Sequence, residues 1–248
     1  MKPKRALCRR RVLALIAALS IPATVFGGQQ EGASTASTSA ESIKASGSVA
    51  GNVYTNGFFR FSYEFPSHLT VQTQEDLRNV MDMGHKAGWG TEPHSDPEHR
   101  RAEELMVPLL SLVGAPRKAG EVPQQVLISA IDLSANPELT QRVLLGQLVV
   151  AMISPWRSGP GEFKTRGNPG VGVTNIGGQE FAWGMLEGRI PVSGKKRRVY
   201  TDYWVTTRNG YAVIWQLAAG EKQELTNLEK TINSVRFNIP EPTAEPRR

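Results

Sequence analysis

The dipeptide Asn209-Gly210 sits between two β-rich runs, "RVYTDYWVTTR" and "YAVIWQLAA". Asn-Gly favours two successive residues of positive φ, the backbone of a type I′ turn, whose twist matches that of the strands it joins. The pair therefore predicts a tight antiparallel hairpin between a strand over 197–207 and one over 211–218. A chain with this hairpin near its C-terminal end is committed to at least one antiparallel sheet.

The stretch "GFFRFSYEFPSHLTV" points the same way. Phe59, Phe61, Tyr63 and Phe65 alternate with Arg60, Ser62 and Glu64, the period of a strand with one buried and one wet face. Pro66 lacks an amide hydrogen and ends that strand, and a short second strand is expected over 69–72. "QVLISAIDL" over 125–133 is nearly continuous and rich in β-branched residues, as expected of a central strand covered on both faces. Further strands are expected over 171–176 and 180–190, the latter joined to 197–207 through "PVSGKKRR".

Three segments carry helical signals. In "SDPEHRRAEELMVPLLSLVG", Asp96 suits an N-cap, Pro97 the first helical position and Gly114 the residue beyond the end. Ala102, Leu105, Met106, Leu109, Leu110 and Val113 recur at three- and four-residue steps, so a helix is predicted from the Asp96 cap to just before Gly114, kinked or with its first part ended at Pro108. Asn136-Pro137 opens a second over 136–152. A closing helix over 221–234 has Leu225, Leu228, Ile232 and Val235 as its buried stripe, and a short strand over 235–237 follows. The segment 82–96, with Gly84, Gly88, Gly90 and Pro93, reads as a long loop.

The N-terminus carries Lys2, Lys4, Arg5, Arg9, Arg10 and Arg11 ahead of an apolar run over 12–26. That order reads as a secretory signal peptide over 1–27, cut after Gly27 or, failing that, after Ala23. The segment holds six of the 29 basic residues and none of the 23 acidic ones, so its removal leaves equal numbers of each. The basic balance of the whole chain therefore gives no argument for nucleic acid binding. Cys8, the one cysteine, precedes the apolar run, so the mature chain carries neither a disulfide nor a lipid-accepting thiol. The expected localisation is periplasmic or secreted. Residues 28–51, rich in Gly, Ser, Ala and Thr, read as a flexible linker, 52–238 as a single globular domain, and 239–248 as a disordered proline-rich tail.

Strands dominated by hairpins, with helices between them, predict an α+β fold whose sheet is largely antiparallel and flanked by helices. Here a family resemblance enters. "VYTNGFFRFSYEFPSHL" resembles the N-terminal signature of PsbP-like domains, and "LTNLEKTINSVRF" is similar to their helix-then-strand ending. The resemblance covers both ends of 52–237 and extends to DcrB-like exported proteins. It implies an α/β/α sandwich and, because members are mostly accessory or binding proteins, a non-enzymatic role.

Searches for chemistry agree with that expectation. The chain has no G-x-S-x-G elbow, no S-x-x-K motif and no mature cysteine to act as a nucleophile. Gly170 and Gly172 in "GNPGVGVTNIGG" lack the third glycine of a dinucleotide loop and read as turns around a strand entry. No catalytic, cofactor or metal residues are therefore assigned, and the expected function is an exported binding or accessory domain of unknown ligand or partner. Two alternatives carry specific residues. His85, His94 and His99, with Asp96 and Glu103, could form a loop-plus-helix site for Zn²⁺ or Mn²⁺. Lys195 to Arg198, the densest positive cluster of the mature chain, could meet an anionic surface, against the plainer reading of a solvated hairpin end that blunts a sheet edge. Trp183, Trp204 and Trp215 fall on three successive strands, where they would be core or would line a groove.

Overall fold

The computed structural model describes residues 40–73, 76, 106–116, 121–133, 163–167, 170–192 and 195–238. The expected signal peptide, the loop over 82–96, the helix over 136–152 and the tail over 239–248 lie outside these residues.

The hairpin forms as its turn chemistry requires. β10 (Lys195–Arg208) and β11 (Tyr211–Ala219) pair antiparallel up to Arg208 opposite Tyr211, and Asn209 and Gly210 have φ of 51° and 80°. Around this hairpin an eight-stranded sheet assembles in the order β4 (Leu69–Val71), β5 (Met106–Gly114), β6 (Gln125–Asp132), β11, β10, β9 (Gln179–Val192), β7 (Lys164–Thr165). β8 (Val171–Ile176) also pairs with β9. A smaller sheet runs β1 (Gly47–Ala50), β2 (Val53–Asn56), β3 (Phe61–Glu64), β12 (Arg236–Phe237). Every described strand pair is antiparallel.

The main core lies between one face of the large sheet and the small one. Phe59, Phe61, Tyr63 and Phe65 are buried while Arg60 and Glu64 are exposed, so the alternation holds even though the strand itself begins only at Phe61. Phe61 packs edge-on against Trp215 with centroids 5.1 Å apart, and Phe181 meets the same indole at 5.5 Å. The helix α2 (Lys222–Ile232) adds Leu225, Leu228 and Ile232 to this cluster. Tyr63 reaches α2 through a 2.7 Å hydrogen bond between its hydroxyl and that of Thr231, and burial pushes its phenol up to about 12. Ile214, Ala212 and Ala218 on the other face of β11 are equally withdrawn from water, as are Ile131 and Leu127 on β6. Both faces of the central strands are thus buried, which accounts for their unbroken apolar sequence. The fold is α+β and largely antiparallel, with two helices among the described residues.

Two expectations are corrected. The helix predicted from the Asp96 cap to just before Gly114 is not helical over its described part, because Met106–Gly114 is β5, paired between β4 and β6. The three- and four-residue spacing there arises from a strand apolar on both faces, with Val107, Leu110 and Leu112 buried on the core side. Pro108 is accommodated at a register shift between Pro108 and Leu110, where a missing ladder donor is tolerated.

The flexible linker over 28–51 does not extend that far either, and the ordered domain starts before residue 52. Ala40–Ala45 forms the short helix α1, and β1 follows it. Ile43 is fully buried, Ser46 returns a 2.6 Å hydrogen bond to its carbonyl, and the Gly47 backbone runs against Tyr54, where a Cβ would come within 2.6 Å of the phenol oxygen. A single well-placed isoleucine and a glycine suffice to dock a segment whose composition alone reads as linker.

Candidate functional site

The basic cluster stands on a projecting ribbon. β9 and β10 pair as far as Val192 opposite Lys195, whereas β11 accompanies β10 only from Tyr200 and β7 reaches β9 only at Leu186 and Glu187. Residues 188–192 and 195–199 therefore extend past the neighbouring described strands by five residues each, about 16 Å at the rise of a strand. The base of the ribbon is fixed by packing. Ile190 and Val199 are buried, and Gly188 lies under the Phe163 ring, where a Cβ would come within 2.5 Å of the ring carbon.

Lys195, Lys196, Arg197 and Arg198 are exposed, and so is Arg189 on the opposing strand. Strand alternation puts Lys195 and Arg197 on one face of the ribbon and Lys196, Arg198 and Arg189 on the other. Arg189 and Arg198 are directly opposite each other in the register. Arg198 donates to the Tyr200 hydroxyl at 3.3 Å, and Glu187 and Glu221 also favour its cation. Glu187, the acidic residue of β9 nearest this end, is tied to Lys164 at 2.9 Å, and that hydrogen bond holds its carboxyl below the ordinary range. The arrangement is a positively charged ribbon end.

A second polar cluster is buried. Nη2 of Arg166 bonds both carboxylate oxygens of Asp202 at 2.8 Å and reaches Oε1 of Glu229 at 2.5 Å. Asp202 is fully buried on β10, Glu229 belongs to α2, and Arg166 follows β7, so the cluster ties three elements together. One guanidinium faces two carboxyls. Burial, then the hydrogen bond to Glu229, outweigh the attraction of Arg166 and push Asp202 up to about 8. Burial acts on Glu229 as well, but the hydrogen bonds from Asp202 and Arg166 more than offset it and hold that carboxyl below its ordinary value. The directions of the two shifts favour a single shared proton held at Asp202. These residues were missed by the sequence reading, although an aspartate inside "VYTDYWV" was a visible signal.

The tryptophans divide between the two expectations. Trp215 is fully buried core, while Trp204 and Trp183, aligned in register, are half-buried with rings 6.3 Å apart. Trp183 covers Gly172, where a Cβ would come within 2.5 Å of the indole. The glycines of "GNPGVGVTNIGG" accordingly serve close packing and, at Gly177 and Gly178 with φ of 58° and 82°, the turn from β8 into β9. His85, His94, Asp96, His99 and Glu103 lie outside the described residues. Among the described residues no group of histidines and carboxylates is placed to hold a metal ion, and no helix is long and apolar enough to cross a membrane.

No family profile matches the chain, and no curated protein matches it. Solved structures resemble it at low identity. The solution structure of PsbP (CyanoP) from Synechocystis sp. PCC 6803 is 12% identical with a TM-score of 0.42, over 77% of this chain and 95% of that one. The crystal structure of LpqN, involved in cell envelope biogenesis of Mycobacterium tuberculosis, is 13% identical with a TM-score of 0.41, over 71% of this chain and 82% of that one.

Proposed function

We propose that this chain is an exported, non-catalytic accessory domain of the PsbP-like α/β/α type that docks on an anionic surface through the β9–β10 ribbon. The observation that carries the reading is that five exposed cations, Arg189 and Lys195 to Arg198, gather at the end of one ribbon whose base is packed. Such a concentration of positive charge attracts an anionic partner. Cations on both faces suit an edge-on approach to an extended layer of phosphates better than a small ligand held on one side. Each Lys or Arg near such a surface contributes about 1 kcal/mol, so the cluster is sufficient for reversible peripheral binding without an apolar anchor. Export rests on the basic and apolar N-terminal pattern.

Lysine acetylation in the presence of phosphatidylglycerol vesicles tests the docking mode. Lys195 and Lys196 are expected to lose reactivity while Lys44, Lys222 and Lys230 keep theirs. Uniform protection of all five, or none, contradicts docking through the ribbon.

A further inference from the structure

Among the described residues the large sheet ends on one side at β7 and β8, which lie in line along β9, and the β8 part of this edge lacks the devices that usually keep sheet edges apart. Among the described residues β8 pairs with β9 alone. The hydrogen bond from the Met185 amide to the Gly170 carbonyl at 2.9 Å sets the phase of that ladder. By the alternation of an antiparallel pair, Gly172, Thr174 and Ile176 direct their backbone groups at β9, and Val171, Val173 and Asn175 direct theirs to the open side.

Edges of this kind are normally protected by lysines, prolines or inward-pointing charges. From Gly167 to Gln179 this chain has no charged residue, although 21% of the whole sequence is charged. Pro169 precedes the strand and no proline falls within it. Val171 and Val173, 37% and 45% exposed, are two of the four large exposed hydrophobic side chains among the described residues. Both sit on one face of the edge, opposite the small residues Gly184 and Ala182. The edge is open, apolar and uncharged together.

We propose that β8 pairs with β8 of a second copy of this chain, antiparallel about a two-fold axis through Val173. The outward-facing residues are self-complementary in this register. Val171 meets Asn175 of the other copy, Val173 meets Val173, and Asn175 meets Val171, each pair exchanging two backbone hydrogen bonds. Two copies bring no like charges together along the strand, which favours this occupant over a charged peptide. Pairing over so few residues covers less than the roughly 1,600 Å² of a standard interface, so the dimer is reversible and depends on concentration. It also joins two basic ribbons in one particle, and its existence does not depend on what the ribbons bind.

Sedimentation equilibrium of the whole mature chain, alongside Val173→Lys and Val173→Glu, tests this. The unaltered chain is expected to dimerise reversibly, with residues 170–176 gaining amide-exchange protection as concentration rises. Each variant alone places like charges face to face on the axis and is expected to weaken the dimer at least about tenfold. An equimolar mixture of the two restores association by pairing Lys with Glu, a rescue that a merely misfolded variant does not give. An unaltered chain that stays monomeric up to about 1 mM overturns the proposal. So does a dimer that neither variant weakens, or a mixture no more associated than its components.

Discussion

Asp202 is expected to make the stability of the domain fall as pH rises through the neutral range, opposite to what an ordinary paired carboxylate does. Its carboxyl moves from an ordinary 3.8 to about 8 in the folded chain. A carboxyl raised on folding binds its proton more tightly in the native state, so its contribution is complete below about pH 4 and is lost as pH climbs towards 8. The slope is at most about 1.4 kcal/mol per pH unit. Glu229 has the opposite sign, since its depressed carboxyl contributes stability above its ordinary 4.5 and loses it only in acid, so it leaves the window from pH 5 to 8 unchanged. Because Glu229 is partly exposed and relaxes as the shared proton leaves, the net loss across that window is about 2–4 kcal/mol. Urea unfolding followed by tryptophan fluorescence at pH 5, 6, 7 and 8 measures it. In Asp202→Asn the amide oxygen still accepts from Arg166 and the amide nitrogen donates to Glu229, but nothing titrates. That variant is expected to lie within about 1 kcal/mol of the unaltered chain at pH 5 and to keep its stability to pH 8. Every other ionisable group is common to both chains, so the difference between the two curves isolates Asp202. A variant curve that falls in parallel with the unaltered one, or an unaltered chain that gains stability towards pH 8, refutes the shared-proton account.

Two further substitutions probe the packing. Gly172→Ala drives a methyl group to 2.5 Å from the Trp183 indole, so it is expected to cost about 1–3 kcal/mol in urea unfolding and to shift Trp183 emission to the red as the ring is displaced; a neutral variant contradicts the close approach. Trp215→Ala removes the ring on which Phe61 and Phe181 pack and is expected to cost about 3–5 kcal/mol, seen as a lower urea midpoint, whereas a loss below about 1 kcal/mol would place the core elsewhere.

What could be read from residue order alone follows a physical division. Asn209-Gly210, the aromatic alternation from Phe59 to Phe65 and the stripe of Leu225, Leu228 and Ile232 act over a few residues, and each appears in the structure where it was expected. β5 was misread because a strand apolar on both faces contains every periodicity, including the helical one, and only its neighbours β4 and β6 decide the matter. α1 and β1 were hidden by small residues whose value lies in the close contact of Gly47 with Tyr54. The basic residues of the ribbon were visible, but not their place beyond the neighbouring described strands, on a base packed by Ile190, Val199 and the Phe163 ring over Gly188. The Arg166, Asp202 and Glu229 cluster joins residues 36 and 63 positions apart in sequence, so only Asp202, set in an apolar run, was visible locally.

The docking claim is tested most directly by co-sedimentation with phosphatidylglycerol vesicles of the unaltered chain and of a variant with Lys195, Lys196, Arg197 and Arg198 replaced by serine. At about 50 mM salt the unaltered chain is expected to bind at least about a hundredfold more tightly than the variant, and to lose most of that advantage at about 500 mM, as screening of exposed charges requires. Equal retention of the two chains, or binding by the unaltered chain that salt does not weaken, contradicts it.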